Sequence, residues 1–335
     1  MSGLLLLGSL LLILVTAEAF VNALEHLGEQ LGVSQGVTGA LFAAVATALP
    51  ETVIPLLALA SPDHGLHAGN TEIGTGAILG APLMLSTLSV SLLAFATAHR
   101  RGWQGNFAPE PTGLRRDLNA FLLLYSLACL TMLLPAEQNT LRSGCAFLLV
   151  LGYFLYVLSM LRDSARLKAA GHGTEASARL WLTRIGLPER QPVIVMQLAA
   201  AIALLLVAAN GFIDAVRAMA PALGISPLLL SLLIVPVATE LPEKINSLTW
   251  IRRRQDTLAF GNITGAMVFQ GSLLPAIGMM LTSWQPQPAL GAGIFATLAG
   301  ALWLRLCLAR GTLRLWQVGA NLLLYVLFLA LSLTR

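Results

Sequence analysis

Followed for hydropathy alone, the chain alternates between long apolar blocks and short polar joints. Ten blocks stand out, near 3–23, 35–60, 70–98, 118–135, 141–161, 193–216, 227–250, 257–283, 288–308 and 312–333. Most reach or approach the ~20 residues an α-helix needs to cross the hydrocarbon of a bilayer. Leu and Ala run through them without strict alternation, a helical rather than strand-like pattern, and within lipid only helices and closed barrels keep every backbone group hydrogen-bonded. The pattern predicts an all-α polytopic membrane protein of ten transmembrane helices. The first block ends in Ala17-Glu18-Ala19 but has no basic segment before it, so it is read as a first span rather than a cleaved leader.

The polar joints carry a directional charge pattern. With the amino terminus outside, one membrane face receives sixteen of the Lys and Arg residues, from Arg100 to Arg314, and the other only Arg142, Arg217 and Arg335. Positive residues favour the cytoplasmic side, so both termini are expected outside. The stretch 162–192 is the longest polar segment and reads as a cytoplasmic linker between residues 1–161 and 193–335, which hold five spans each.

Those halves repeat. Gly32-Val33-Ser34, Ala46-Thr47-Ala48-Leu49-Pro50-Glu51 and Gly69-Asn70 recur as Gly224-Ile225-Ser226, Ala238-Thr239-Glu240-Leu241-Pro242-Glu243 and Gly261-Asn262, all at an offset of 192 residues. Asn22 matches Asp214 at the same offset. Beyond residue 73 the offset becomes 191, aligning Gly74-Thr75-Gly76-Ala77-Ile78-Leu79-Gly80 with Gly265-Ala266-Met267-Val268-Phe269-Gln270-Gly271. An odd number of spans per half turns the second copy upside down, the inverted-repeat plan of secondary transporters.

The repeated motifs put chemistry at membrane depth. A proline within a helix removes an amide donor and clashes with the carbonyl four residues earlier, so Pro50 and Pro242 free backbone oxygens. With the hydroxyls of Thr47 and Thr239 and the carboxylates of Glu51 and Glu243, these are the hard ligands that sodium, calcium or magnesium require. Acidic residues inside a span are candidate functional groups by default. Glu240 stands three residues before Glu243 and shares its helix face. Lys244 has three readings: an i to i+4 ion pair with Glu240, an ammonium within the ion path, or a long stem reaching a polar zone elsewhere. Thr75 and Gln270 occupy the spans that follow, Glu72 lines the path or its outer mouth, and the glycines there allow close helix approach.

Composition narrows the classes further. Only 11% of residues are charged and 56% are hydrophobic, against roughly 25% charged in a soluble domain. The net charge of +4 is accounted for by topology rather than nucleic acid, and Arg252-Arg253-Arg254 reads as an anchor at lipid headgroups. Cys129, Cys145 and Cys307 fall in apolar segments as small core residues. Asp63, His64 and His67 crowd the loop before the third span, read as a solvated loop or as an external proton or metal sensor, and the spans contain no serine–histidine pair or His-Glu-x-x-His motif that would suggest an intramembrane enzyme.

The paired Ala-Thr-Ala-Leu-Pro-Glu and Ala-Thr-Glu-Leu-Pro-Glu segments, with Gly261-Asn262-Ile263-Thr264-Gly265-Ala266-Met267-Val268-Phe269-Gln270, resemble the signature elements of the calcium/cation antiporter superfamily, and within it the prokaryotic sodium/calcium exchanger proteins. The resemblance implies two inverted five-helix repeats in a prokaryotic inner membrane. It also implies a midplane site of two glutamates and two Asn or Asp residues ringed by hydroxyls and carbonyls. Glu51, Glu243, Thr47 and Thr239 match that set, with Glu51 and Glu243 as the metal-binding pair. The other positions fall on Leu79 and Gln270, and the family's serines on Ala48, Glu240, Thr75 and Ala266. By resemblance the partners are inorganic cations, calcium exchanged for sodium or protons, with no resident cofactor. Two alternatives stay open: a proton-coupled exchanger of another cation, and a relative that no longer transports and serves as a membrane sensor or partner.

Overall fold

The structure, a computed structural model, describes residues 2–30, 49–60, 69–135, 137–168, 179–310 and 313–333. Thr47, Asp63, His64 and His67 lie outside the described residues. Where they are described, the apolar blocks of the sequence are helices. In the first half these are α1 (Ser2–Gln30), α2 (Leu49–Ala60), α3 (Asn70–Met84), α4 (Val90–Arg101), α5 (Pro111–Leu130) and α6 (Asn139–Lys168). The second half holds α7 (Gln191–Leu223), α8 (Pro227–Thr239), α9 (Leu241–Arg252), α10 (Asp256–Gln270), α11 (Leu273–Leu281), α12 (Pro288–Ala309), α13 (Leu315–Gly319) and α14 (Asn321–Leu333). Among the described residues eight helical stretches are long and apolar enough to cross a membrane, and α2 and α8 are shorter apolar helices.

Local chemistry sets the helix ends. Gly224 takes a left-handed φ of 68° that stops α7. Ser226 then starts α8, its hydroxyl accepting from the amide of Leu229 at 3.2 Å, with Pro227 in the first turn. Gly224-Ile225-Ser226 is thus a stop–start signal. At α5 the Glu110 carboxylate accepts from the amides of Thr112 and Gly113, with Pro111 following it. Slight burial there acts to raise the Glu110 pKa, but those amides, the Thr112 hydroxyl and the Arg116 guanidinium outweigh it and hold it below the usual value.

Several spans that hydropathy presents as continuous are interrupted. Between α3 and α4 the backbone widens into a π turn at Leu85–Ser89, three residues after Pro82. Proline leaves the Ile78 carbonyl without its helical donor, a setting in which such turns form. Asn321 of α14 donates to the Ser86 carbonyl in the turn at 2.7 Å and to Gly300 of α12 at 3.2 Å. Another interruption separates α10 from α11 at Gly271 and Ser272. In the polar stretch between the halves, α6 continues to Lys168 and a short 3-10 turn covers Trp181–Ile185.

Helix α1 lies along α7, α3 crosses α8, and a series of contacts recurs between the halves. α2 packs on α3 as α9 packs on α10, α5 on α6 as α12 on α14, and α10 on α5 as α3 on α12. The α3–α8 crossing is backbone to backbone. A Cβ at Gly76 would lie 2.2 Å from Ser231 Oγ and 2.4 Å from the Leu228 carbonyl, and one at Gly80 would lie 2.3 Å from the Leu232 carbonyl. Ser231 donates to the Ile73 carbonyl at 2.7 Å across the same contact. On the opposite face of α3, a Cβ at Gly74 would meet the Leu59 side chain of α2 at 2.6 Å. The small residues therefore serve the close packing that the sequence suggested.

At the α4 end, Arg101 forms a bidentate pair with Asp256 at the start of α10, at 2.8 and 2.9 Å, and donates to the Ile251 carbonyl at 2.8 Å. The Ala108 amide donates to the same carboxylate at 2.9 Å. Asn106–Phe107 (β1) pairs antiparallel with Leu313–Arg314 (β2), joining the loops that follow α4 and precede α13.

Candidate functional site

The second motif segment sits at a helix break, and the first is described from Leu49 onward. Helix α2 is described from Leu49, which places Pro50 and Glu51 in its first turn, and Glu51 is 3% exposed. Pro55, four residues on, brings no amide to the Glu51 carbonyl. In the second half α8 ends at Thr239, and Glu240 leaves helical geometry at φ −95°, ψ 8° before α9 begins at Leu241 with Pro242. The proline lacks the amide that would continue the ladder onto Ala238, which is why the helix breaks there. The side chains of Pro242 and Glu243 lie outside the described residues, although their backbone opens α9.

The two motif regions meet in one buried cluster. Leu49, Val53 and Ile54 of α2 pack with Ile73 and Ala77 of α3 and with Leu230, Ile234 and Val235 of α8. Glu51, Thr239 and Glu240 are therefore turned into protein rather than toward acyl chains. The Thr239 hydroxyl donates to the Val235 carbonyl at 3.1 Å. Thr75 is buried on α3, one residue from the Gly76 crossing.

Of the readings open for Lys244, the ion pair is the one the structure displays. Its ammonium lies 3.4 Å from Glu240 Oε2, one helical turn back. It also donates to the Pro236 carbonyl at 3.2 Å and to the Met84 sulfur of α3 at 2.9 Å. Glu240 is wholly buried and Lys244 is 8% exposed. Two charges at that depth carry a large desolvation penalty, which their proximity and the added acceptors offset.

Gln270 is the last residue of α10, at the break before α11. It is 2% exposed, and its Oε1 has no hydrogen-bond partner among the described residues. A buried oxygen of that kind calls for a donor or a cation. Leu79, at the matching place in α3, is buried among apolar side chains. Glu72 is half-buried in the first turn of α3, and its carboxylate accepts from the Leu228 amide at 3.4 Å. It thus caps the start of α8, at the end of that helix away from the break at Glu240.

Three polar contacts were not legible as such in the sequence. Asp117 of α5 accepts from Thr264 of α10 at 2.8 Å and from Tyr156 of α6 at 3.1 Å, and lies 3.2 Å from Arg116. Hydropathy drew the span boundary just after Asp117 and so assigned it to a loop, while Thr264 stood within the second-half motif without a role. Asn70 accepts a short hydrogen bond from Arg217 of α7, and its repeat mate Asn262 donates to Ser247 of α9 at 3.0 Å. The recurrence of Gly-Asn was the available signal for both. The third is the Arg101–Asp256 clamp.

A family model described as sodium/calcium exchanger protein matches residues 1–162 and 193–334. Among curated proteins, the inner membrane protein YrbG of Escherichia coli is 26% identical over 330 residues, covering 90% of this chain and 94% of its own. The putative antiporter CaxA of Alkalimonas amylolytica is 25% identical over 272 residues, covering 81% and 77%. Among solved structures, the H+/Ca2+ exchanger CAX superposes with a TM-score of 0.71 at 17% identity, over 99% of this chain and 86% of that one. The sodium-calcium exchanger NCX_Mj gives 0.58 at 21% identity, over 98% of each. The fold is that of these exchangers.

Proposed function

We propose, from the premise that the chain belongs to the sodium/calcium exchanger protein family, that it is a secondary active cation antiporter working by alternating access at a midplane site. The observation that carries this reading is the burial of Glu51 in the cluster that joins the first turn of α2 to the last turns of α8. A carboxylate held there, beside helix ends that free backbone oxygens, is suited to a migrating cation. Glu51 and Glu243 bind the ion, and Thr47, Thr239, Glu240, Thr75 and Gln270 complete its surroundings. Glu72 serves the outer mouth, while Pro50, Pro242 and Lys244 shape the site.

The recurrent contacts between the halves support two inverted five-helix repeats, 1–161 and 193–335, joined by a cytoplasmic linker at 162–192. Ten spans in that plan place both termini outside, in a bacterial inner membrane. Calcium is the leading substrate, a hard divalent ion matched to oxygen ligands. For the counter-ion, Leu79 favours the proton over sodium: an apolar side chain removes one oxygen from the set that a second metal-ion site needs.

The test is flux in proteoliposomes under an imposed sodium or proton gradient, with a panel of cations on the other side. Calcium movement driven by one of these gradients, lost in Glu51→Gln and Glu243→Gln, is the expected result. Full flux in both variants removes the site assignment. Failure of the protein to move any cation replaces the antiporter with the sensor reading, which the same Leu79 would then favour.

A further inference from the structure

Three arginines lie at or beside the first turns of α5, and only one of them has an acid partner among the described residues. Arg116 is neutralised within the protein, 3.2 Å from Asp117 and with its guanidinium over the Tyr156 ring. Arg305, one turn before the end of α12, stands at the seam where α12 packs along α5. Its Nε donates to Asn119 Oδ1 at 2.7 Å, the one hydrogen bond it makes among the described residues. Arg115 is exposed one turn before Asn119, on the same face of α5. Beyond Asn119 that face continues as Leu122, Leu123, Ser126, Leu127 and Leu130, which together with Asn119 line a groove of about 600 Å³. Pockets that hold a small molecule span ~300–1,000 Å³. Leu123 and Leu130 are 71% and 62% exposed, so the groove opens on the outer wall of the protein.

We propose that this seam is a binding site for one anionic phospholipid, its phosphate held by Arg305 and Arg115 and an acyl chain lying in the leucine groove. Two positive charges on a wall that faces lipid take their counter-charge from the bilayer, and basic pockets between spans recruit anionic headgroups in this way. A guanidinium carries five donors in a planar fork, and Asn119 engages only one, which leaves the fork for phosphate oxygens. The same bond fixes the Arg305 side chain, so the site is organised before the lipid arrives. A zwitterionic lipid brings its own ammonium and loses most of the attraction. Non-specific anchoring neutralises an exposed arginine with any headgroup and needs no groove beside it. With the orientation proposed above, the headgroup belongs to the cytoplasmic leaflet. The inference requires the membrane-embedded fold and is independent of the exchange reading.

The experiment uses the full chain in mild detergent, with native mass spectrometry after addition of phosphatidylglycerol or of phosphatidylcholine with the same acyl chains. One phosphatidylglycerol per chain should be retained, in preference to phosphatidylcholine by about tenfold, the scale of one charge-assisted hydrogen bond. The double change Arg115→Gln with Arg305→Gln should remove that preference, and Arg252→Gln, away from the seam, should preserve it. Leu123→Gln, which spoils the groove at an exposed position and leaves both arginines, should weaken retention several-fold. Equal retention of the two lipids by the unaltered protein, or retention of neither, overturns the proposal whether or not the variants fold. So does a preference that survives the double arginine change, or retention indifferent to Leu123→Gln. Displacement of the lipid by millimolar inorganic phosphate would make a free anion the occupant and overturn the lipid assignment.

Discussion

The two proline-marked motifs share a sequence pattern but carry different charges. In the first, Glu51 follows Pro50 with neutral neighbours, Thr52 after it and Pro55 four residues on. In the second, Glu240 precedes the proline and Lys244 follows Glu243, and the two added charges contact each other at 3.4 Å. The added acid and the added base of the second motif thus lie side by side. That fits the physical constraint: an unpaired buried charge costs more than a buried pair, whose partners offset part of each other's desolvation. The halves also differ in how their glycines are used. Gly76 and Gly80 let α3 touch the α8 backbone, whereas a Cβ at Gly265 would have only the Tyr156 hydroxyl within reach, at 3.8 Å.

The largest expected difference concerns transport. If the acids remain equivalent despite their surroundings, Glu51→Gln and Glu243→Gln each reduce cation flux to that of empty vesicles; loss in only one would show that the duplication has become lopsided. Next comes stability. Glu240→Gln strands the Lys244 ammonium and should cost about 3–5 kcal/mol. The double change Glu240→Ser with Lys244→Thr should recover most of that loss. Thermal unfolding in detergent, followed by thiol labelling of Cys129, Cys145 and Cys307, measures both, and equal damage in single and double variants would show the pair is not a unit.

A smaller effect is expected at the crossing helices. Gly76→Ala or Gly80→Ala should each destabilise by roughly 1–3 kcal/mol, because the contacted atoms include backbone carbonyls that cannot swing aside. Gly265→Ala should be nearly silent in the same assay. The smallest contrast is between the caps of α5 and α12, which begin Glu110-Pro111 and Gln287-Pro288. Only Glu110 makes side-chain cap bonds, and Glu110→Ala should cost under about 1 kcal/mol at neutral pH. Its carboxyl titrates lower in the folded protein than in the unfolded chain. The contribution is therefore present above the unfolded value and disappears as the pH falls through the folded one. A pH series of unfolding midpoints, comparing Glu110→Ala with the unaltered protein, should converge in acid.

Much of this architecture was legible in the chain because lipid imposes a coarse code, in which a block of apolar residues long enough to span is a helix. The break at Pro242 was legible for a related reason, since proline has one backbone consequence in a helix. The π turn at Leu85–Ser89 and the break after Gln270 were not, because a change in hydrogen-bond register leaves the hydropathy of Leu, Ser and Gly untouched. The i to i+4 relation revealed Glu240 as a partner for Lys244, but Met84 is 160 residues away in sequence, and only the crossing of α3 over α8 brings it there. Asp117 stayed hidden for a similar reason, its partners Tyr156 and Thr264 lying on other helices.

The widened turn in the third span also sets a phase. Each residue of an α-helix advances the side chains by about 100°, so one residue accommodated at Leu85–Ser89 swings everything after it by that angle relative to an unbroken rod. Arg101 faces Asp256 under that rotation. Removing one residue from the turn would carry the guanidinium around to a different neighbour and free the start of α10, although neither end of the clamp had been altered. A wrinkle in the middle of the bilayer thereby governs which partners meet at its edge.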